Sequence, residues 1–146
     1  MTRPAHLATI EELSPDDCRD YLRSARIGRL AVRTDGHPDI FPVSYVFDSD
    51  SIIFRTEPGT KLSAASMARV ALETDQIDMQ AGTAWSVVVK GMAFDITDAI
   101  DPTSQRARAA RVDSAFVGDD ARWVRISGLE ISGRRLSLIE PSTTTG

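Results

Sequence analysis

The apolar positions between residues 14 and 25 recur at the spacing of a helix. They lie at i, i+3, i+4 and i+7 and form one apolar face: Cys18, Tyr21, Leu22 and Ala25. Ser14 is suited to the N-cap and Pro15 to the first helical position. The pattern therefore predicts an amphipathic helix that begins at Pro15, with residues 1–13 before it as a loose arm.

From residue 27 onward the hydrophobic period changes to two, which predicts β-strands. The predicted strands are 27–34, 39–48, 51–56, 69–75, 83–96, 121–126 and 129–139. Pro42 lies inside the second of them and favours an edge position or a bulge, because proline cannot donate to a ladder. Residues 83–96 are almost continuously apolar, which predicts burial on both faces over part of their length. Two short helices are expected at 60–67 and 102–112, and residues 141–146 read as a frayed tail.

Seven strands with mostly short connections and few helices favour one architecture. The chain is expected to be mainly β, a closed or partly open antiparallel barrel. A length of 146 residues is typical of one domain, so a single domain spanning residues 1–146 is expected. A dinucleotide-binding Rossmann fold is disfavoured, because no G-x-G-x-x-G follows the first strand.

The composition narrows the classes of partner and compartment. The net charge of −4 disfavours a general nucleic-acid or acidic-membrane surface. The single cysteine, Cys18, excludes a framework of internal disulfides and fits a reducing compartment. No signal-peptide pattern or transmembrane-length apolar run is present, so a cytoplasmic protein is expected.

Side chains suited to catalysis are scarce. The two histidines, His6 and His37, lie in the predicted arm and in a turn, and no His, Cys or carboxylate cluster has metal-ligand spacing. No serine lies in a nucleophile-elbow pattern. An enzyme with these residues would rely on a bound cofactor for its chemistry.

The segment IIFRTEPGTKL, residues 52–62, has the properties of a phosphate site. Arg55 and Thr56 end a strand, Pro58-Gly59 make a turn, and Thr60 and Lys61 begin a helix. Helix N-termini present free N–H groups and partial positive charge to an anion, and the two cations add to this. The competing interpretation is an ordinary turn with two solvated surface charges.

Two further segments are candidates for a binding site. Trp85 and Ser86 begin the longest strand, where an aromatic residue is otherwise typical of the core. Pro42, Val43 and Ser44 lie where a proline interrupts ladder pairing, which can free backbone groups to meet the polar edge of a flat ring.

These segments, in the order GRLAV, PVSYVFD, IIFRTEPGTKL, VALETD, WSVVVKGMA, resemble the pyridoxamine-5′-phosphate-oxidase-like family of flavin-binding proteins. The resemblance covers about residues 14–98 and implies an antiparallel split β-barrel that forms a homodimer. It implies that the phosphate of FMN is held by Arg55, Thr56, Thr60 and Lys61. It also implies that Pro42, Val43 and Ser44 line the isoalloxazine ring, and that Trp85 and Ser86 reach it from the second subunit.

The resemblance implies an FMN-dependent oxidoreductase that transfers hydride to or from a small planar or unsaturated substrate. Pyridoxamine-phosphate oxidases proper carry a C-terminal Arg- and His-bearing signature. Residues 131–146 here contain no histidine, which argues against vitamin B6 oxidation.

Two alternatives remain open at the level of the sequence. A deazaflavin coenzyme on the same fold would need more cations for its polyacidic tail, with Arg29, Arg33 and Lys90 as candidates. A non-enzymatic protein that stores or senses flavin or haem would need only a binding site, although haem would also need His6 or His37 as an axial ligand.

Overall fold

The computed structural model describes residues 6–113 and 117–139, which form seven strands and three helices. The strands are β1 (His6–Glu12), β2 (Ile27–Thr34), β3 (His37–Asp48), β4 (Ser51–Thr56), β5 (Ala68–Asp78), β6 (Thr83–Asp95) and β7 (Arg122–Ile139). The helices are α1 (Pro15–Ser24), α2 (Thr60–Ala65) and α3 (Pro102–Arg108). As predicted, α1 is capped by the Ser14 side chain, which accepts a hydrogen bond from the Asp17 N–H at 3.1 Å.

Six of the strands form a closed ring. The order is β7-β4-β3-β2-β5-β6, and β6 pairs back onto β7, so that the sheet has no free end within the ring. Every pairing is antiparallel, and β1 adds to β7 outside the ring. The expected antiparallel barrel is therefore confirmed.

Strand β7 holds the ring together because it pairs with three neighbours. Residues 122–126 pair with β4, residues 124–137 with β6, and residues 134–139 with β1. We expected two strands here, separated at Ser127-Gly128. The structure instead has one strand with a bulge, because Gly128 adopts a φ of 65° and the register with β6 shifts between Lys90 and Met92.

The core fills the inside of the ring and is closed by α1. Its largest fully buried side chains include Phe54, Leu22, Leu30, Ile52 and Leu72. Cys18 is 1% exposed and belongs to this core, which agrees with its place on the apolar face of α1. A second cluster of Ile53, Ile96 and Ala107 fixes α3 to the outside of β4.

Two other expectations were wrong in part. The arm expected at residues 1–13 contains β1, whose residues pair with the C-terminal half of β7. Strand β6 is not buried on both faces in the single chain: Trp85, Val87 and Val89 are buried, whereas Val88 is half-buried and Lys90 exposed. The tail expected at 141–146 lies outside the described residues.

Among the helices described, none has the length and apolar character that crossing a bilayer would require.

Candidate functional site

The site lies where two neighbouring strands separate. Strands β3 and β4 pair only from Tyr45↔Phe54 to Asp48↔Ser51. Beyond Tyr45, residues 37–44 of β3 pair with β2, whereas Arg55 and Thr56 of β4 pair with β7. A wedge therefore opens between residues 41–44 on one side and residues 55–59 on the other.

This wedge contains a cavity of about 490 Å³, a volume typical of small-molecule sites. The cavity is lined by Phe41, Pro42, Val43, Ser44, Arg55, Thr56, Glu57, Pro58, Gly59, Lys61, Asp113 and Val117. Six of the nine site residues predicted from the sequence meet here, and Thr60 directly follows the lining residue Gly59 as the first residue of α2.

Arg55 is half-buried at one end of the cavity. Its Nη2 donates to the carbonyl oxygen of Ala121 at 2.8 Å, and its guanidinium lies 4.9 Å from the centre of the Trp123 ring. Its Nε atom is buried and has no hydrogen-bond partner among the described residues. A buried donor without a partner is unusual, because it loses its water without compensation, and so it marks a place where an acceptor would be favourable.

Lys61 provides the second cation. Its Nζ lies 4.5 Å from the centre of the Phe41 ring, on the opposite wall of the wedge. Within the described part of the chain, no carboxylate forms an ion pair with Lys61 or with Arg55. Both charges are therefore available to an anion in the cavity.

The turn before α2 supplies backbone donors. Gly59 has a φ of 145°, which other residues rarely adopt, and it precedes the helix without a side-chain cap. No acidic residue lies in the first turn of α2. The first N–H groups of a helix have no partner within it, and Gly59 and Lys61, on either side of the first helical residue, both line the cavity.

The opposite wall is the open part of β3. Val43 and Ser44 are buried, whereas Pro42 is exposed and has no N–H to donate. The edge position expected from Pro42 is confirmed, since this part of β3 has no ladder on the cavity side. Behind it, Tyr45 donates to the carbonyl oxygen of Leu22 at 2.8 Å, and burial raises its pKa to about 12, so the phenol is neutral and structural.

Four lining residues were not identified from the sequence: Phe41, Glu57, Asp113 and Val117. Phe41 and Glu57 lie inside or beside the motifs already identified, so their neighbours were a usable signal. Asp113 and Val117 come from the region between α3 and β7, more than fifty residues beyond the motif, and no local pattern indicates their approach.

Trp85 and Ser86 do not line this cavity. The Trp85 ring stacks on Tyr21 with centroids 4.4 Å apart, and Arg135 donates to the Tyr21 hydroxyl at 2.6 Å. Ser86 lies on the outer side of β6, next to Glu12, Ser132 and other residues of a separate depression. Within one chain, the structure therefore does not bring these two residues to the other seven.

The additional cations considered for a polyacidic ligand also lie elsewhere. Arg29 is held on the outside of the barrel by Glu73 at 2.6 Å and Asp75 at 3.2 Å. Arg33 and Lys90 are exposed and are not among the lining residues. His37 is exposed at the start of β3, away from the cavity.

Comparison with known proteins identifies relatives of this chain. The sequence profile of the family described as pyridoxamine 5′-phosphate oxidase matches residues 14–135. An uncharacterized protein of Mycobacterium tuberculosis is 32% identical over 101 residues, which cover 65% of this chain and 66%, just under two thirds, of that relative.

The solved structures that share both fold and sequence with this chain include two FAD-binding proteins. A FAD-binding protein of Mycobacterium smegmatis has a TM-score of 0.73 and 32% identity, over 89% of this chain and 99% of its own. A FAD-binding protein of Mesorhizobium loti has a TM-score of 0.71 and 26% identity, over 88% of this chain and 98% of its own.

Proposed function

Because the chain belongs to the pyridoxamine 5′-phosphate oxidase family, we propose that it binds a flavin in the wedge between β3 and β4 and acts as a flavin-dependent oxidoreductase. The observation that carries the proposal is the convergence, on a cavity at the open edge of β3, of two cations that form no ion pair with a carboxylate of the described residues. The FAD-binding relatives at 32% and 26% identity support the choice of ligand class.

The phosphate end of the cavity fits the anionic end of a flavin. Arg55 offers its unpartnered Nε, Lys61 its ammonium group, and α2 its free N–H groups. Thr56 would add a hydroxyl donor, and the same role for Thr60 stays a prediction from the sequence. Charge-assisted hydrogen bonds of this kind are the stronger ones in proteins and would provide most of the anchoring.

The wall formed by Pro42, Val43 and Ser44 fits the ring end. The backbone of an unpaired strand edge offers N–H and C=O groups to a polar ring edge, while the buried neighbours exclude water. When bound, a flavin supplies hydride and electron transfer, which the side chains of this cavity do not offer by themselves. The residues of the chain bind and orient it.

We propose that the working unit is a homodimer. The outer side of β6 is only half-buried in one chain, and the residues expected to complete the site, Trp85 and Ser86, lie away from the cavity. Contribution of these residues by a second subunit would account for both observations. A homodimer is also the commonest form of soluble oligomer.

The charges at the cavity favour FMN or FAD over a deazaflavin with a polyacidic tail. The described lining contains two cations and two carboxylates, Glu57 and Asp113, and none of the additional cations that such a tail would need. FMN remains our first choice, and the FAD-binding relatives make FAD the second. Mass spectrometry of the ligand released from the purified protein distinguishes them.

A small planar or unsaturated compound is the proposed substrate class, and vitamin B6 oxidation is not proposed, because residues 131–146 contain no histidine. The second candidate function is storage or sensing of the flavin. It is favoured because the described lining residues include no histidine, cysteine or tyrosine. Haem has no histidine in the described lining to bind it.

Reduction kinetics separate the two functions. We expect bound flavin to be reduced by NADH or NADPH at rates useful for turnover, and reoxidised by an acceptor of the proposed class. Flavin that stays oxidised with both donors would favour storage or sensing. The buried thiol of Cys18 is compatible with the reducing cytoplasm that we propose as the location.

A further inference from the structure

Residues 117–121 lie just before β7 and reach the rim of the cavity at Val117. Two side chains from the end of β4 hold the backbone of this segment. The Glu57 carboxylate accepts a hydrogen bond from the Gly118 N–H, and Arg55 Nη2 donates to the Ala121 carbonyl oxygen at 2.8 Å. Both side chains also line the cavity, and Val117 lines it from the segment itself.

The flanks of the segment are fixed independently of the cavity. On one side, α3 is capped by Asp101 and packed through Ala107 against Ile53 and Ile96. On the other, β7 begins at Arg122 and pairs at once with Thr56. Between these flanks, Glu57 contacts the backbone at Gly118 and Arg55 contacts it at Ala121, and these two contacts hold the segment at the rim.

The lack of a side chain at Gly118 suits its contact with Glu57. A Cβ atom built on it would lie 3.2 Å from Glu57 Oε1, closer than such contacts usually are. The absence of a side chain thus lets the carboxylate reach the backbone N–H.

Toward an anionic ligand, the charge of a carboxylate here is unfavourable. Glu57 lies beside two cations at a cavity proposed for a phosphate, where its negative charge opposes binding. A positional role and a repulsive role predict opposite effects of removing it. A positional role predicts faster loss of the ligand, whereas repulsion alone predicts tighter binding.

We propose that Glu57 is a positioning residue that holds residues 117–121 on the rim of the cavity and thereby slows the release of the bound flavin, an inference that rests on the proposed function. The carboxylate acts through the Gly118 N–H, and Arg55 supports it at Ala121. It therefore affects mainly the dissociation rate and not the association rate.

The test compares Glu57→Ala and Glu57→Gln with the wild-type protein by stopped-flow fluorescence, using FMN as the ligand and repeating the measurement with FAD. We expect Glu57→Ala to raise the dissociation rate constant about tenfold, the usual effect of losing a hydrogen bond to a charged group. Glu57→Gln keeps an acceptor oxygen and should stay within roughly threefold of wild type. Asp20→Ala, which removes an exposed carboxylate on α1, is the matched control for charge.

A second measurement does not depend on flavin. Hydrogen exchange at the Gly118 amide in the flavin-free protein should be faster in Glu57→Ala than in wild type and close to wild type in Asp20→Ala. If the wild-type protein binds neither flavin, the proposed function fails, but the exchange rate still tests whether Glu57 holds the Gly118 backbone. Tighter flavin binding in both Glu57 variants, or unchanged Gly118 exchange in Glu57→Ala, would overturn the proposal.

Discussion

Lys61 is the residue through which the phosphate site is most simply tested. Its ammonium group has no carboxylate partner in the described structure and lies against the Phe41 ring, so its removal should cost the fold little. Lys61→Ala should weaken FMN binding by roughly 1.5–3 kcal/mol, the usual value for a charge-assisted hydrogen bond. Isothermal titration calorimetry measures the change.

Arg106→Ala is a suitable control for this variant. Arg106 is an exposed cation on α3 that does not line the cavity, and its removal changes the net charge by the same amount. Equal affinity in Lys61→Ala and wild type would show that Lys61 is an ordinary surface charge.

Arg55 has a structural as well as a binding role. Its guanidinium stacks on Trp123 and donates to the Ala121 carbonyl, and both contacts depend on its planar fork. Arg55→Lys should therefore weaken flavin binding although the charge is kept, and should alter the emission of Trp123. Fluorescence of the flavin-free Trp85→Phe background, which leaves Trp123 as the single tryptophan, reports the second effect. Unchanged emission and affinity would contradict this double role.

Strands β6 and β7 approach each other closely at Gly91. A Cβ on Gly91 would lie 2.6 Å from the Ser127 carbonyl oxygen, where backbone cannot move aside without disturbing the bulge at Gly128. Gly91→Ala should lower the free energy of unfolding by about 1–3 kcal/mol, the usual cost of overpacking. Urea unfolding measures it, with Ser63→Ala on the exposed side of α2 as the control. A stability equal to that of the control would mean that the ring accommodates the methyl group.

The junction of β6 and β7 with the α3 region carries a pH-dependent contact. Burial raises the pKa of Asp95, but hydrogen bonds from Arg122 at 2.6 Å and from Thr97 outweigh it, so the net pKa lies below the ordinary value of 3.8. A lowered pKa in the folded state gives stability that is complete above the unfolded-state pKa and lost as the pH falls through the folded-state value.

Asp95→Asn should consequently be less stable than wild type at pH 7, and the difference should shrink as the pH falls below 3.8. Urea unfolding at pH 7 and pH 3 measures both proteins. A difference that does not change between these two pH values would show that the ionised carboxylate is not what stabilises the junction.

The elements that the sequence predicts well are those with strong local patterns. The period of two in residues 27–34 and the Ser14-Pro15 start of α1 are local signals, and both elements form as expected. Strand β1 was missed because its stability comes from pairing with residues 134–139, more than a hundred positions away. The continuity of β7 was missed because a glycine that usually ends a strand here forms a bulge held by β6.

The same distinction applies to the site. The motif at residues 55–61 and the strand at 42–44 were identifiable because each is contiguous, and the fold brings them together where β3 and β4 part. Asp113 and Val117 were not, because their approach depends on how α3 packs on Ile53 and Ile96. Pairing between strands and packing between distant elements are tertiary effects that no local pattern reports.

At the scale of the whole molecule, the proposed dimer accounts for what one chain leaves incomplete. We expect sedimentation equilibrium to give twice the chain mass of 15.9 kDa. If the second subunit completes the site, Ser86→Ala should weaken flavin binding although Ser86 lies outside the cavity of its own chain. A protein that sediments as a monomer and still binds flavin would contradict the proposed dimer, but not the proposal that the cavity binds flavin.

Titration of the purified protein with FMN, followed by the flavin absorption bands and fluorescence, is the most direct test of flavin binding in the wedge between β3 and β4. We expect saturable binding of one flavin per chain, with affinity reduced in Lys61→Ala and unchanged in Arg106→Ala. A protein that is colourless as purified and leaves the spectra of both added FMN and added FAD unchanged would contradict this expectation.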